Sequence, residues 1–302
     1  MSSIIHVANL SKHFGATEAV RDISFTIKKG EIVGFVGPNG AGKSTTIALL
    51  LGFIHASKGE VTIFGKHHIR PETAHRSHRR IGYIAGDMPM FDSLTGSQYL
   101  SFMGHRFGID TDVRARLEDR LEPQLDKRIK QLSRGNKQKI SLIAALQHNP
   151  DLIIMDEPTS GLDPLMQETF LSIIREEAAR DATVFMSSHI LSEVAQVCSR
   201  VMFMKRGRIV SDQAMEEIEK NAGKLVKIIA GSEQIKALLA SIPKQALVLT
   251  QTKNQLVLRY DSDLHEVLRW LSTKKFDDLE ILDRQLDDLF IDFYKDEEGK
   301  RR

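Results

Sequence analysis

Gly37-Pro38-Asn39-Gly40-Ala41-Gly42-Lys43-Ser44-Thr45 follows the apolar run Ile32-Val33-Gly34-Phe35-Val36 and opens a helical stretch. It is a complete G-x-x-x-x-G-K-S set between a buried strand and a helix, which is the context this motif requires. Its glycines let the backbone curl so that successive amides point inward at phosphate oxygens, and the following helix adds its positive N-terminal end. Lys43 is expected to reach the β- and γ-phosphates of a nucleotide, and Ser44 to offer a hydroxyl to Mg²⁺. A glycine-rich turn without a ligand is the alternative, and the filled positions argue against it.

A second signal lies downstream, where Leu152-Ile153-Ile154-Met155 ends in Asp156-Glu157. Ligands gather at the carboxyl ends of strands in open parallel sheets. Asp156 suits Mg²⁺ held through water, and Glu157 suits the polarisation of a water attacking a γ-phosphoryl group. Around these two sites β-branched segments alternate with helical ones from Ile4 to about Arg208, the pattern of an α/β core. Short strands are expected over Ile4 to Leu10, Ala19 to Ile27, Glu31 to Val36, Thr183 to Ser187 and Val201 to Lys205. Ser97 to Phe107, Asp112 to Glu122 and Lys137 to His148 carry a 3.6-residue apolar period and predict a helical subdomain over about 88–150. Further helices are expected over Pro164 to Ala179, Ile190 to Cys198 and Asp212 to Glu219.

Three more segments extend the pattern. Leu132-Ser133-Arg134-Gly135-Asn136 lies upstream of the carboxylate strand, Ser160-Gly161-Leu162-Asp163 follows it, and Ser187-Ser188-His189 ends a later strand. With the phosphate loop, in this order, they resemble the ATP-binding subunit of an ATP-binding cassette (ABC) transporter, most like the ATPases of ABC-2-type exporters. The resemblance implies an ABC-type P-loop NTPase fold with a parallel-sheet core, an antiparallel β subdomain and a helical subdomain. It implies that Ser133 and the amide of Gly135 bind the γ-phosphate of ATP held by an opposing subunit, and that Asp163 belongs to the loop linking the two sites. His189 then contacts the γ-phosphate and holds the attacking water, and Phe14 stacks on adenine, a position that a core aromatic would fill equally well.

The sequence departs from the family pattern in two places. Arg134 and Asn136 replace the usual glycine and glutamine of the signature, which alters the contact with the opposing nucleotide. Gly86-Asp87 stands where a glutamine is usual. Asp87 either completes Mg²⁺ coordination as an oxygen ligand or is a loop aspartate facing water. Met88-Pro89-Met90-Phe91 falls where the family meets its membrane subunit, and reads as a docking patch or a buried loop anchor. His67, His68, His75 and His78 lack compact metal-ligand spacing and read as a solvated surface.

The chain has 302 residues, which predicts about two domains. We divide it into a cassette over 1–215 and a smaller accessory α+β domain over 216–302. The latter reads βαββαβ, matching a ferredoxin-like unit, and ends in Leu286 to Phe290, which resembles the terminal helix of those exporter ATPases. Hydrophobic residues make up 41% and charged residues 27%, which excludes a disordered scaffold. Net charge is +2, so no nucleic-acid partner is expected on charge. One cysteine, Cys198, excludes an internal disulfide framework. The start, MSSIIHVANLSKHF, has no secretory-signal pattern, and no apolar run reaches the length of a membrane span.

The chain is therefore expected to work in the cytoplasm, peripheral on the membrane's cytoplasmic face, as a homodimer or heterodimer of ATPase subunits. A separate integral membrane permease would form the pore, and the resemblance implies export. The competing reading is a soluble ATPase of the same class acting as a nucleotide switch on ribosomes or DNA. Such proteins carry two cassettes or long coiled-coil insertions, and neither is present.

Overall fold

The computed structural model describes residues 3–67, 77–86, 88–220, 223–261 and 264–284. The chain divides into two compact units, Met1–Gln213 and Ala214–Arg302.

In the first unit, strands β1 (Ser3–Phe14) and β2 (Thr17–Lys28) form a hairpin, turned by Gly15 at φ +57°. Next come β3 (Ile32–Val36), helix α1 (Lys43–Leu50), β4 (Lys58–Ile63) and β5 (Lys66–His67). β6 (Ile81–Ala85) leads to three helices, α2 (Gly96–Phe107), α3 (Thr111–Leu121) and α4 (Arg134–Leu146). The remainder is β7 (Leu152–Asp156), α5 (Pro164–Ala179), β8 (Thr183–Ser188), α6 (Leu191–Ala195), β9 (Arg200–Lys205) and β10 (Arg208–Ala214).

These strands make two sheets, an antiparallel one in the order β2-β1-β4-β5 and a six-stranded one in the order β10-β9-β3-β8-β7-β6. β9, β3, β8, β7 and β6 pair in parallel. Their interior strands are buried along their length, as expected where helices cover a parallel sheet. The two sheets share one apolar core. At its centre Phe185 of β8 stacks on Phe25 of β2 at 5.9 Å between ring centroids and lies 5.3 Å from Phe35 of β3.

Helices of the 88–150 region begin at side-chain caps. Thr95 and Gln98 form a reciprocal capping box at α2, and Asp110 caps α3. α4 starts three residues before the expected Lys137, because Ser133 supplies a cap the apolar period does not reveal. Arg116 and Arg120 of α3 pair with Glu176 of α5, and Arg116 with the buried Glu177. Arg180 gives Glu177 a second cation at 3.2 Å, so that carboxylate is not left uncompensated.

Two expected helices differ. Ile190 to Cys198 shortens to α6, and the helix placed over Asp212 to Glu219 begins only at Met215. β10 takes the earlier residues because Arg206-Gly207, both at positive φ, turns the chain back beside β9. There Arg200 Nε and Nη2 each donate to Asp212 at 2.7 Å. Cys198 is buried beside Gly34, and burial pushes its thiol up, away from the reactive thiolate.

The second unit contains α7 (Met215–Lys220), β11 (Lys224–Ile229), α8 (Ser232–Leu239), β12 (Ala246–Gln251), β13 (Gln255–Tyr260), α9 (Leu264–Ser272) and β14 (Asp278–Asp283). Its sheet order is β12-β13-β11-β14, antiparallel at every pair. Numbered from β11 this is the 4-1-3-2 order of a ferredoxin-like fold, with β13 inserted between the strands of a split βαβ. Val226, Ile228, Leu256, Leu258 and Tyr260 of the sheet pack with Ile235, Leu238, Val267 and Leu271 of the helices in a core of their own. Leu286 to Phe290, which resembles the terminal helix of the exporter ATPases, lies outside the described residues.

Removing the ring that joins the two sheets of the first unit creates a cavity. Phe185→Ala is expected to cost about 3–5 kcal/mol of unfolding free energy. Urea denaturation of the full chain measures it, and a loss below about 1 kcal/mol would show that this cluster does not hold the sheets together.

Candidate nucleotide site

Parallel register brings the chemistry to one end of the sheet. Phe35 of β3 stands beside Ser187 of β8, Ser187 beside Asp156 of β7, and Asp156 beside Ala85 of β6. The glycine loop leaves β3 at this edge and is gripped from both sides. A Cβ on Gly37 would lie 2.4 Å from the Met204 carbonyl oxygen, and one on Gly42 2.4 Å from that of Ala19. Gly42 also has φ +110°, a backbone that side chains rarely adopt. Gly207 donates its amide to the Ala41 carbonyl at 2.8 Å, tying the loop to the β9–β10 turn.

No side chain caps the start of α1, so its first amides are not claimed by a neighbouring residue. Asn39, Gly40, Gly42, Lys43, Ser44 and Thr45 line one pocket together with Ala19 and Glu157. Pro38 contributes its carbonyl, and Ala41 is buried beneath. The Lys43 side chain is only 5% exposed. Its ammonium donates to the Gly37 carbonyl at 2.6 Å and lies 3.4 Å from that of Pro38 and 3.1 Å from Glu157 Oε1.

Across the pocket, Ser187 bonds the Asp156 carboxylate and the Glu157 backbone. Its hydroxyl donates to Asp156 Oδ1 at 2.6 Å and accepts from the Glu157 amide at 3.1 Å. Glu157 itself has φ +50°, a conformation that costs a residue with a side chain on the order of 1–3 kcal/mol. Its Oε2 accepts from His189 Nδ1 at 2.6 Å, which places the imidazole proton on Nδ1 when the carboxylate is ionised. Glu157 Oε1 is buried and pairs with the Lys43 charge without receiving a hydrogen bond. Tyr83 stands on β6 beside this edge, and its hydroxyl is pushed up to about 12, first by burial and then by the Asp156 charge.

Behind these groups, Glu193 Oε2 accepts from Thr159 at 2.7 Å and from Ser188 at 3.1 Å. This carboxylate joins the loop after Glu157 to the loop that carries His189. Thr159 and Glu193 were missed in the sequence, where a threonine after a proline and a glutamate on a short helix give no signal. The bracketing role of Ser187 was also invisible, since it depends on strand register.

The structure thus brings the phosphate loop, Asp156, Glu157 and His189 together. It keeps Ser133, Gly135 and Asp163 apart from them, lining a second pocket with Arg120, Asn136 and Lys139. Ser133 Oγ caps α4 by accepting from the Asn136 amide at 3.3 Å, and a Cβ on Gly135 would meet nothing within 4 Å. Asp163 Oδ1 caps α5 through the Met166 amide at 2.9 Å. Phe14, 51% exposed at the β1–β2 turn, carries the Lys12 ammonium 4.8 Å from its ring centroid and does not line the loop pocket. Asp87 lies outside the described residues, as do His68 and His75. Met88 lines a further, apolar pocket with Phe53, Tyr83, Tyr99, Met103 and Phe107. His78 Nε2 of the basic stretch donates to the Leu51 carbonyl at 2.8 Å.

Comparison with known proteins identifies the family. The ABC transporter family model matches residues 20–160. The chain is 31% identical over 265 residues to the linearmycin resistance ATP-binding protein LnrL of Bacillus subtilis (strain 168), covering 85% of each chain. It is 32% identical over 301 residues to the Nod factor export ATP-binding protein I of Rhizobium leguminosarum bv. viciae, covering 95% of this chain and 93% of that one. A solved structure of the ATP binding subunit of an ABC transporter superposes with a TM-score of 0.66 at 29% identity, over 72% of this chain and 92% of the other. With relatives above 30% identity aligned along most of its length, the protein belongs to the family of ABC transporter ATP-binding proteins, and is the ATP-hydrolysing subunit of such a transporter.

Proposed function

We propose that this subunit powers export through a separate membrane permease, on the cytoplasmic face of the membrane, by closing as a dimer on two ATP molecules and reopening after hydrolysis. The observation that carries the reading is the separation of two half-sites within one chain. One pocket holds the phosphate loop and Glu157, and the other holds Ser133, Gly135 and Asp163. Two copies, or this chain and a related one, placed so that each loop faces the other's signature, would complete both. Relatives named for linearmycin resistance and Nod factor export support the direction. No helix among the described residues is long and apolar enough to cross a membrane, consistent with a pore on another chain. The apolar pocket at Met88, with Phe53, Phe91 and Phe102 each about half exposed nearby in sequence or space, suits docking of that permease.

In this reading the amides from Asn39 to Thr45 cradle the phosphates, with Gly37 and Pro38 shaping the turn, and Lys43 exchanges its carbonyl partners for β- and γ-phosphate oxygens. Phe14 stacks on the adenine. Glu157 takes a proton from water as that water's oxygen bonds to the γ-phosphorus, and the bond to the ADP oxygen breaks. His189 holds the geometry through its bond to Glu157 Oε2 and, when both ring nitrogens carry protons, donates from Nε2 to the γ-phosphate. Ser133 and the Gly135 amide stabilise charge on the partner's γ-phosphate, and Asp163 sets the loop between the sites.

The residues present fit Mg²⁺. Ser187 occupies only one oxygen of Asp156, and Ser44 lines the loop pocket. Among the described residues no cluster of three or more His, Cys, Asp or Glu forms a self-sufficient metal cage, which suits an ion shared with the nucleotide's phosphates. Ser44 and Asp156 would hold it, joined by Asp87, and it would neutralise charge on the phosphates.

Glu157→Gln is expected to lower ATP turnover about 10²- to 10⁴-fold while ATP binding persists. Steady-state hydrolysis and a binding titration measure the two separately, and loss of binding with turnover would remove Glu157 from the base role. The same variant, purified from detergent-solubilised native cells, is expected to bring down a polytopic membrane protein in stoichiometric amount. Recovery of ribosomal or DNA-repair proteins without a membrane partner would favour the soluble switch instead.

A further inference from the structure

We infer that Arg134 is a positioning residue that couples the two nucleotide sites from within one chain, by fastening the head of α4 to the loop between Glu157 and Asp163. The inference rests on the reading above, in which Ser133 and Gly135 meet the nucleotide of an opposing subunit.

Arg134 is the first residue of α4, directly after its cap Ser133. As a substitute for the usual signature glycine it could have turned towards the opposing nucleotide. It does not line the pocket of Ser133 and Gly135. Its guanidinium lies back over Gly161 of its own chain, so that a Cβ there would fall 2.4 Å from Nη1, 2.6 Å from Cζ and 3.1 Å from Nε. Gly161 has φ +75°, and its bare Cα is the surface that the flat cation covers.

One turn along α4, the buried Gln138 donates Nε2 to the Pro158 carbonyl at 2.7 Å. α4 therefore touches the 157–163 loop at two points, Pro158 and Gly161, on either side of Thr159 and Ser160. The start of the loop is held from the end of β6 as well. Gly86 donates its amide to the Asp156 carbonyl at 3.0 Å, and a Cβ on it would lie 2.6 Å from the Glu157 carbonyl oxygen. Held by Gly86 at its start and by α4 at Pro158 and Gly161, the loop has little freedom to absorb a shift of the helix head.

The consequence is mechanical. When Ser133 and Gly135 are drawn onto the partner's γ-phosphate, α4 moves with them, and Arg134 and Gln138 carry the movement to Pro158 and Gly161. Glu157 is one peptide bond from Pro158. Misplacing a catalytic group by about 1 Å costs on the order of 10²-fold in rate, so a small displacement suffices to arm or disarm the base. Nucleotide at one site thereby sets the carboxylate of the other, and the coupling passes through a side chain chosen for its planar shape.

The test is ATP hydrolysis by the purified full chain across ATP concentrations, with binding of a fluorescent ATP analogue measured in parallel. Wild type is compared with Arg134→Ala, Gly161→Ala and the double variant. Arg134→Ala is expected to keep analogue affinity within about twofold, to lower kcat about tenfold, and to bring a Hill coefficient above about 1 in the wild type down to about 1. Gly161→Ala both displaces the guanidinium and strains a loop residue held at φ +75°, so it should act in the same direction, and the double variant should be no worse than the poorer single one. A Hill coefficient unchanged by Arg134→Ala in a cooperative wild type, or losses that multiply in the double variant, would overturn the latch alone. A wild type without cooperativity, whose Glu157→Gln form also fails to dimerise with ATP, would overturn the paired-site reading and the latch with it.

Discussion

A buried ammonium has to be surrounded by acceptors, and at Lys43 that requirement organises the end of the parallel sheet. With 5% of its side chain exposed, Lys43 draws the Gly37 and Pro38 carbonyls and the Glu157 carboxylate to one point. Those three groups come from the end of β3 and the end of β7, two strands separated in the sheet by β8. Strand β8 supplies what lies between, the Ser187 hydroxyl and then His189. The glycines keep the loop low enough for this, because side chains at positions 37 and 42 would strike the Met204 and Ala19 carbonyls.

What the sequence revealed, and what it hid, follows from the range of the interactions concerned. The phosphate loop was legible because its glycines, lysine and serine are consecutive and sit between a buried run and a helix. The carboxylates at Asp156 and Glu157 were legible for the same reason, and so was the βαββαβ order of the second unit. The last residues of β10, from Asp212 to Ala214, read in sequence as the start of a helix, because the bond that holds them in the sheet, Arg200 to Asp212, comes from the preceding strand. The cap at Ser133 moved a helix start by three residues. The bracket formed by Ser187, the Thr159–Glu193 bond and the inward turn of Arg134 depend on which strands are neighbours, and no local pattern records that.

The two units solve the problem of strand edges differently. In the first, β10 and β6 are the edge strands of the six-stranded sheet, and α helices accompany most of the others. In the second, β14 carries Asp278, Glu280 and Asp283, with Lys227 reaching Glu280 and Lys224 reaching Asp283 from the neighbouring strand. Exposed pairs of this kind contribute little stability, but charge along an edge discourages pairing with another chain. β12, at the opposite edge, has no charged residue, and Leu247, Val248 and Leu249 are exposed along it.

Glu157 sits in a backbone conformation suited to glycine, so the position carries a trade. A glycine there would relieve the left-handed strain and raise the stability of the fold, yet it would leave Lys43 and His189 without their shared carboxylate. Selection for a sturdier protein and selection for a faster one therefore pull this residue in opposite directions. A chain that had lost its chemistry but kept its shape would be expected to drift at position 157 before it drifted at the glycines of the loop, whose constraint is steric.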